Sequence, residues 1–145
     1  MILSTWDQAQ LMQKIWPTFK ILQRDRRCVY WEGALRPLSQ TYTVRVLLYR
    51  DKSRGKSANL AIPLVEVTDP LLRKRSEDPS DPIPHHYPNR DRPELPFLCL
   101  YDPRAREWHP GLAVARTIIP WTIDWLACYE GWLATGEWTG GGRHG

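Results

Sequence analysis

The chain has no run approaching the ~20 apolar residues that cross a bilayer, and no internal repeat. Its opening, MILSTWDQAQ, lacks both the basic n-region and the apolar core of a secretory signal. Cysteine is scarce. Cys28, Cys99 and Cys128, an odd number at irregular spacing, make no disulfide framework, and a reducing cytoplasm is the expected setting. Neither a Cys-x-x-Cys nor a His-x(3–5)-His pair occurs, which argues against zinc; a metal site would have to be assembled from His85, His86, Cys99 and His109. The glycine run near the C-terminus follows no strand and precedes no helix, so it is not a phosphate loop, and the chain carries no ATP-binding motif.

What is present fits one soluble domain spanning 1–145, long enough to bury a real core. Hydrophobic residues at 42% and charged residues at 25% are ordinary for a globular protein. A net charge of +4 permits a nucleic-acid partner without demanding one. The basic clusters at 24–27, 52–56 and 73–75 contain no interleaved aromatics, so they read as solvated faces more simply than as an RNA-binding surface, which would bind with a steep salt dependence. No nucleic acid and no membrane is expected. Most of the eight tryptophans fall in the C-terminal third, where large rings should dominate the packing.

The pattern along the chain predicts a helix capped by Ser4 or Thr5 and running to about Trp16, with Met12, Ile15, Trp16 and Phe19 as its apolar stripe and Pro17 at its end. CVYWEGALRP reads as a strand broken at Gly33. TYTVRVLLYR alternates as a half-buried strand, DKSRGKSA is a turn, and NLAIPLVEV is a third strand whose Pro63 asks for an edge or a bulge. From Thr68 to Pro96 regular structure stops, with seven prolines between Pro70 and Pro96; residues Arg73 to Asp81 look removable. A second helix follows, with Pro120 near its start, Trp121, Trp125, Cys128 and Trp132 on one face, and Gly136 where it stops. The glycine-rich tail after it should be flexible. The order helix, three-stranded meander, irregular segment, helix is an α+β architecture.

The three cysteines differ in their surroundings. Cys128 lies on the tryptophan-rich face, where a thiol behaves as a small hydrophobe. Cys28 opens a strand beside Arg26 and Arg27, charges that lower a thiol pKa, but nothing nearby completes a site, and it too reads as structural. Cys99 follows a loop that carries His85, His86 and Asn89, and catalytic side chains concentrate on loops held by a scaffold. Leu98-Cys99-Leu100 reads equally well as a short buried strand.

The element order, Trp31 and Gly33, Tyr42 at the second strand, Pro63 in the third, His86-Tyr87-Pro88-Asn89 and the cysteine of LCLY together resemble the ubiquitin-conjugating enzymes. The likeness is strongest to a bacterial branch, the stand-alone ubiquitin-conjugating-like proteins of CBASS antiphage operons, through LCLYDPRAREW, TIIPWTIDWL and YEGWLATGEWTGGGRH. Three features depart from the eukaryotic enzymes: His-Tyr-Pro-Asn replaces their His-Pro-Asn, the stretch from Asn89 to Cys99 is two residues longer, and one C-terminal helix replaces two.

The resemblance implies a cytoplasmic acyl transferase without cofactor. Cys99 would form a thioester with the C-terminal carboxylate of a partner protein, a CD-NTase cyclic-nucleotide synthase, and pass it to an amine or thiol. His86 would be the orienter or hydrogen-bond donor, Asn89 the second candidate for that role, and Asp102 a positioner of an incoming lysine or simply a turn residue before Pro103. Activation of the carboxylate would come from elsewhere. A conjugating-enzyme fold that is catalytically inactive and only binds is the alternative; what separates the two is Cys99. An active enzyme should leave it partly accessible at the edge of the meander, with Cys128 buried under Trp121, Trp125 and Trp132.

Overall fold

A computed structural model of the chain describes residues 2–50 and 61–140. The turn expected at 51–58 and most of the glycine-rich tail, 141–145, lie outside the described residues.

Helix α1, Thr5–Ile15, begins where its cap chemistry dictates. Ser4 Oγ accepts from Asp7 N–H while Asp7 Oδ2 accepts from Ser4 N–H, so two of the orphan amides of the first turn are satisfied reciprocally. Met12 and Ala9 are buried, and the helix stops at Ile15, just before Trp16 and Pro17. Its polar inward residue, Gln8, is 1% exposed and bridges to the far end of the chain. Its amide donates to Leu112 O at 2.8 Å and its carbonyl accepts from Val114 N–H at 2.9 Å. Both ends of a buried amide side chain are thereby paired.

The sheet has six strands: β1 Lys20–Arg24, β2 Cys28–Leu35, β3 Tyr42–Arg50, β4 Ala61–Asp69, β5 His86–Tyr87 and β6 Phe97–Leu98. The order is β1-β2-β3-β4-β6-β5, every pair antiparallel. Period-two alternation sends Val29, Trp31 and Leu35, then Tyr42, Val44, Val46 and Leu48, then Val65 and Val67 to one face. On that face they form the core with Ile118, Ile119, Leu126, Tyr129 and Trp132 of the C-terminal helix α2, Ile118–Thr135. The expected break in β2 is absent. Gly33 continues the ladder opposite Val44, and what it supplies is space: a Cβ there would overlap the Phe19 ring.

The meander is therefore larger than the three strands expected. β1 was hidden in a charged stretch because all five of its residues are exposed, leaving no alternation to read. β5 and β6 are two residues each, too short for any pattern. β4, with Pro63, lies inside the sheet between β3 and β6, and among the described residues β6 meets it in register at Glu66 and Phe97, away from Pro63.

The long segment between β4 and β6 is tied to the body at its start. Tyr129 Oη accepts from Arg73 N–H at 2.8 Å, and the Arg75 guanidinium lies over the Trp132 ring. Residues 74–80 are exposed. Helix α2 ends at Gly136, whose φ of 84° is the left-handed cap conformation that glycine adopts without strain. Among the described residues no helix is long and apolar enough to cross a membrane.

Candidate active site

The short β5–β6 pair is what positions Cys99. His86 stands opposite Leu98 and Tyr87 opposite Phe97; one step on, Cys99 N–H donates to the His85 carbonyl at 2.9 Å. The same carbonyl accepts the Trp125 indole N–H of α2, also at 2.9 Å, so strand end and helix are pinned at one atom. His85 has a φ of 50°, uncommon for a residue with a side chain, and marks the sharp entry into β5.

Side chains alternate along so short a strand, and that decides which histidine meets the thiol. His85 lines the same cavity as Cys99. Tyr87 reaches Cys99 directly, the thiol donating to Tyr87 Oη at 3.2 Å. His86, between them, turns elsewhere: its Nδ1 lies 2.6 Å from the Ile83 carbonyl oxygen. The structure thus brings His85 and Tyr87 to the cysteine and does not bring the imidazole of His86 there.

Asn89 is 7% exposed and faces a different groove, with Tyr30, Glu66 and Arg92. Its amide donates to Leu95 O at 3.0 Å and its Oδ1 accepts from Arg92 N–H at 3.2 Å, closing the turn that leads into β6. Asp102 caps the 3-10 turn Pro103–Ala105, accepting from Arg104 N–H at 2.9 Å. Of the expected set, only Cys99 lies on the cavity wall.

That cavity, of about 430 Å³, is bounded by Cys99 and Leu100 just after β6, by Trp121, Asp124, Trp125 and Cys128 of α2, and by Trp138 and Gly140 after the helix. Beyond Gly136 the chain folds back as a strap over its mouth. The Trp138 ring packs 5.2 Å from His85 and 5.1 Å from Trp125, centroid to centroid. Gly140 comes so close to Cys128 that a Cβ would overlap its Sγ.

The accessibility expected of the two thiols is reversed. Cys99 is only 4% exposed, while Cys128 is half-buried. Cys99 is buried along with its neighbours Leu98 and Leu100; its sulfur lies 3.2 Å from Tyr87 Oη and 3.9 Å from the Tyr101 carbonyl oxygen, and Trp138 and Gly140 of the strap line the same cavity.

Burial dominates the electrostatics of the tyrosines around Cys99. Burial, then the bond and charge at Cys99, hold the Tyr87 phenol well above the usual tyrosine range. Burial and the neighbouring Cys99 push Tyr101 up to about 12. Both rings therefore stay protonated, and uncharged, across any physiological pH. Burial raises the Cys128 thiol, with Asp124 adding to it. Cys28 is likewise raised, by burial and then by the charge of Asp25, not lowered by Arg26 and Arg27 as its sequence neighbours suggest. Among the described residues no three His, Cys, Asp or Glu side chains converge as metal ligands; His109 Nδ1 instead accepts from Gly111 N–H at 3.0 Å.

Tyr87 and Trp138 were not singled out from the sequence, and His85 was named only as a loop residue near Cys99 and a possible metal ligand. Tyr87 lay inside the quoted His-Tyr-Pro-Asn, but only the β5–β6 register reveals that it faces the thiol. No curated protein matches the chain. The Type II CBASS E2 protein family, whose name denotes antiphage defence, matches residues 8–145, from the first turns of α1 through the strap and beyond. With this match and an α+β fold consistent with E2-like architecture, the chain belongs to the Type II CBASS E2 protein family.

Proposed function

We propose that this protein is a cysteine-dependent conjugating enzyme of CBASS antiphage defence, in which Cys99 takes an acyl group from the C-terminal carboxylate of a partner protein and hands it to an amine or thiol. A CD-NTase cyclic-nucleotide synthase is the first candidate for the partner. The observation that carries the reading is the position of Cys99 on the wall of a cavity of about 430 Å³, within the range of pockets that enclose small ligands and ample for the end of a peptide tail.

In the reaction the Cys99 thiolate forms a sulfur–carbon bond to an already activated carboxyl carbon, and the activating group leaves with its bonding pair. An acceptor amine then attacks the thioester, the carbon–sulfur bond breaks, the thiolate is regenerated, and the amine's proton passes to solvent. One difficult acyl transfer becomes two easier ones. His86 and Asn89 act here as positioning residues, since their side chains hold the Ile83 and Leu95 ends of the segment that carries β5. Asp102 fixes the turn after the cysteine.

The 4% exposure of Cys99 favours a second reading, a binding module that performs no chemistry. One experiment separates them. Co-expressed with the synthase of its operon, the protein should form an adduct that is lost on thiol treatment. Cys99→Ala should abolish it, Cys28→Ala and Cys128→Ala should not, and Cys99→Lys should trap a reductant-resistant amide. An adduct that survives Cys99→Ala, or no adduct with any operon partner, leaves the binding module.

A further inference from the structure

Tyr87 Oη lies 3.2 Å from Cys99 Sγ, and the fold sets where both side chains start. Backbone pairing of Tyr87 with Phe97 in β5–β6 fixes the ring's origin, and the bond from Cys99 N–H to His85 O fixes the origin of the thiol. In the resting protein the thiol is the donor and the phenol oxygen the acceptor. A thiolate has no proton to give, so on ionisation the roles must exchange, and the phenol O–H becomes the donor.

We propose that Tyr87 is a catalytic residue whose hydroxyl donates a hydrogen bond to the Cys99 thiolate, steadying it as nucleophile in acylation and as leaving group in transfer. The inference rests on the conjugating reading for its catalytic meaning, though not for the contact itself. In the first step the Cys99 proton departs to solvent, Tyr87 keeps its own, and the sulfur lone pair bonds the carbon of an activated acyl donor of the thioester or acyl-ester class, whose leaving group departs with its electron pair. Once sulfur is acylated it holds no charge, and the hydrogen bond weakens. When the amine attacks and the carbon–sulfur bond breaks, the electron pair returns to sulfur, and the Tyr87 bond re-forms as that charge develops. A donor of this kind acts where charge appears and needs no reorganisation.

Two features suit Tyr87 to the role. Its phenol remains protonated at working pH, because burial and the neighbouring sulfur disfavour phenolate. Its ring is held in the sheet, so the hydroxyl is already in place before the charge forms. Hydrogen bonds with one ionised partner are about twice as strong as neutral ones.

The test uses the full chain with Cys28 and Cys128 replaced by serine, so that Cys99 is the thiol reporting. Its alkylation by iodoacetamide is followed by intact mass as a function of pH. Tyr87→Phe keeps the ring and deletes the donor. The midpoint of the pH–rate profile should rise by about one to two units, the shift that loss of a hydrogen bond to a charged group produces. The high-pH plateau should change little. An unmoved midpoint overturns the proposal. Should Tyr87→Phe fail to fold, 3-fluorotyrosine placed at position 87, a stronger donor, should lower the midpoint, and an unchanged one again overturns it. Adduct formation with the synthase is measured alongside. A shifted midpoint without any adduct keeps the Tyr87–Cys99 coupling and removes the conjugating reading; a Cys99-dependent adduct with an unmoved midpoint does the reverse.

Discussion

Trp138→Ala should uncover Cys99. In the folded chain the strap beyond α2 is held by the Trp138 ring against His85 at 5.2 Å and Trp125 at 5.1 Å. Aromatic pairs contribute ~0.5–1.5 kcal/mol each beyond their buried area, so removing both weakens the closed strap by about 1–3 kcal/mol. The population in which Cys99 meets solvent then rises by about 5- to 150-fold. Alkylation follows that population as long as the strap recloses faster than the reagent reacts, the regime familiar from local opening in hydrogen exchange. In the background that retains Cys99 alone, the iodoacetamide rate measured by intact mass should increase within that range. Trp138→Phe, which keeps a smaller ring, should fall between parent and alanine variant. Thermal unfolding watched by circular dichroism guards against a trivial rise from global loss of structure. A rate within about twofold of the parent would refute the idea that the strap is what covers the thiol.

Gln8→Ala should destabilise the fold by about 2–4 kcal/mol, because it leaves the buried Val114 N–H and the Leu112 carbonyl without their partners; the urea midpoint should fall with the slope unchanged. Gly33→Ala should cost about 1–3 kcal/mol by forcing the Phe19 ring aside, and the double variant with Phe19→Leu should recover part of the loss in the same assay. Shortening the exposed residues 76–80 should leave cooperative unfolding intact, whereas a deletion that also removes Arg73 and Arg75 should lower the midpoint, since it takes away the contacts to Tyr129 and Trp132.

How far the sequence carried can be followed residue by residue. The capping box at Ser4 and Asp7 and the stop at Gly136 are local chemistry, and local chemistry reads directly. β3 was legible because one face is buried and the other is not, so alternation is written into Tyr42, Val44, Val46 and Leu48. Strand β1 carries no such contrast, and β5 and β6 exist through backbone pairing that any side chain can join. The site divides in the same way. A cysteine behind a proline-rich loop stands out in one dimension, and the family resemblance made it specific. Which of three consecutive residues, His85, His86 or Tyr87, meets that cysteine depends on a register of two residues, and a one-residue slip exchanges the faces. Burial of Cys99 was one of the two readings that Leu98-Cys99-Leu100 allowed; what lay out of reach is the strap that returns from the far end of α2 to the same cavity. No pattern within the cysteine's own neighbourhood encodes that return.

The His85 carbonyl has a last consequence, for the geometry of acyl transfer. Many acyl-transfer sites form their oxyanion hole in part from the nucleophile's own backbone N–H, which points at the developing charge. Here Cys99 N–H is engaged by His85 O at 2.9 Å, and the nearby Trp125 indole N–H is engaged by the same oxygen. While β5 and β6 remain paired, neither donor is directed into the cavity. In the proposed reaction, a tetrahedral oxyanion on Cys99 would therefore draw its hydrogen bonds from donors other than these two, such as the incoming tail's own amides, or from a β5 that has let go of β6. The pairing that places Cys99 also engages its amide, and in the proposed reaction substrates whose tails bring their own donors would gain most.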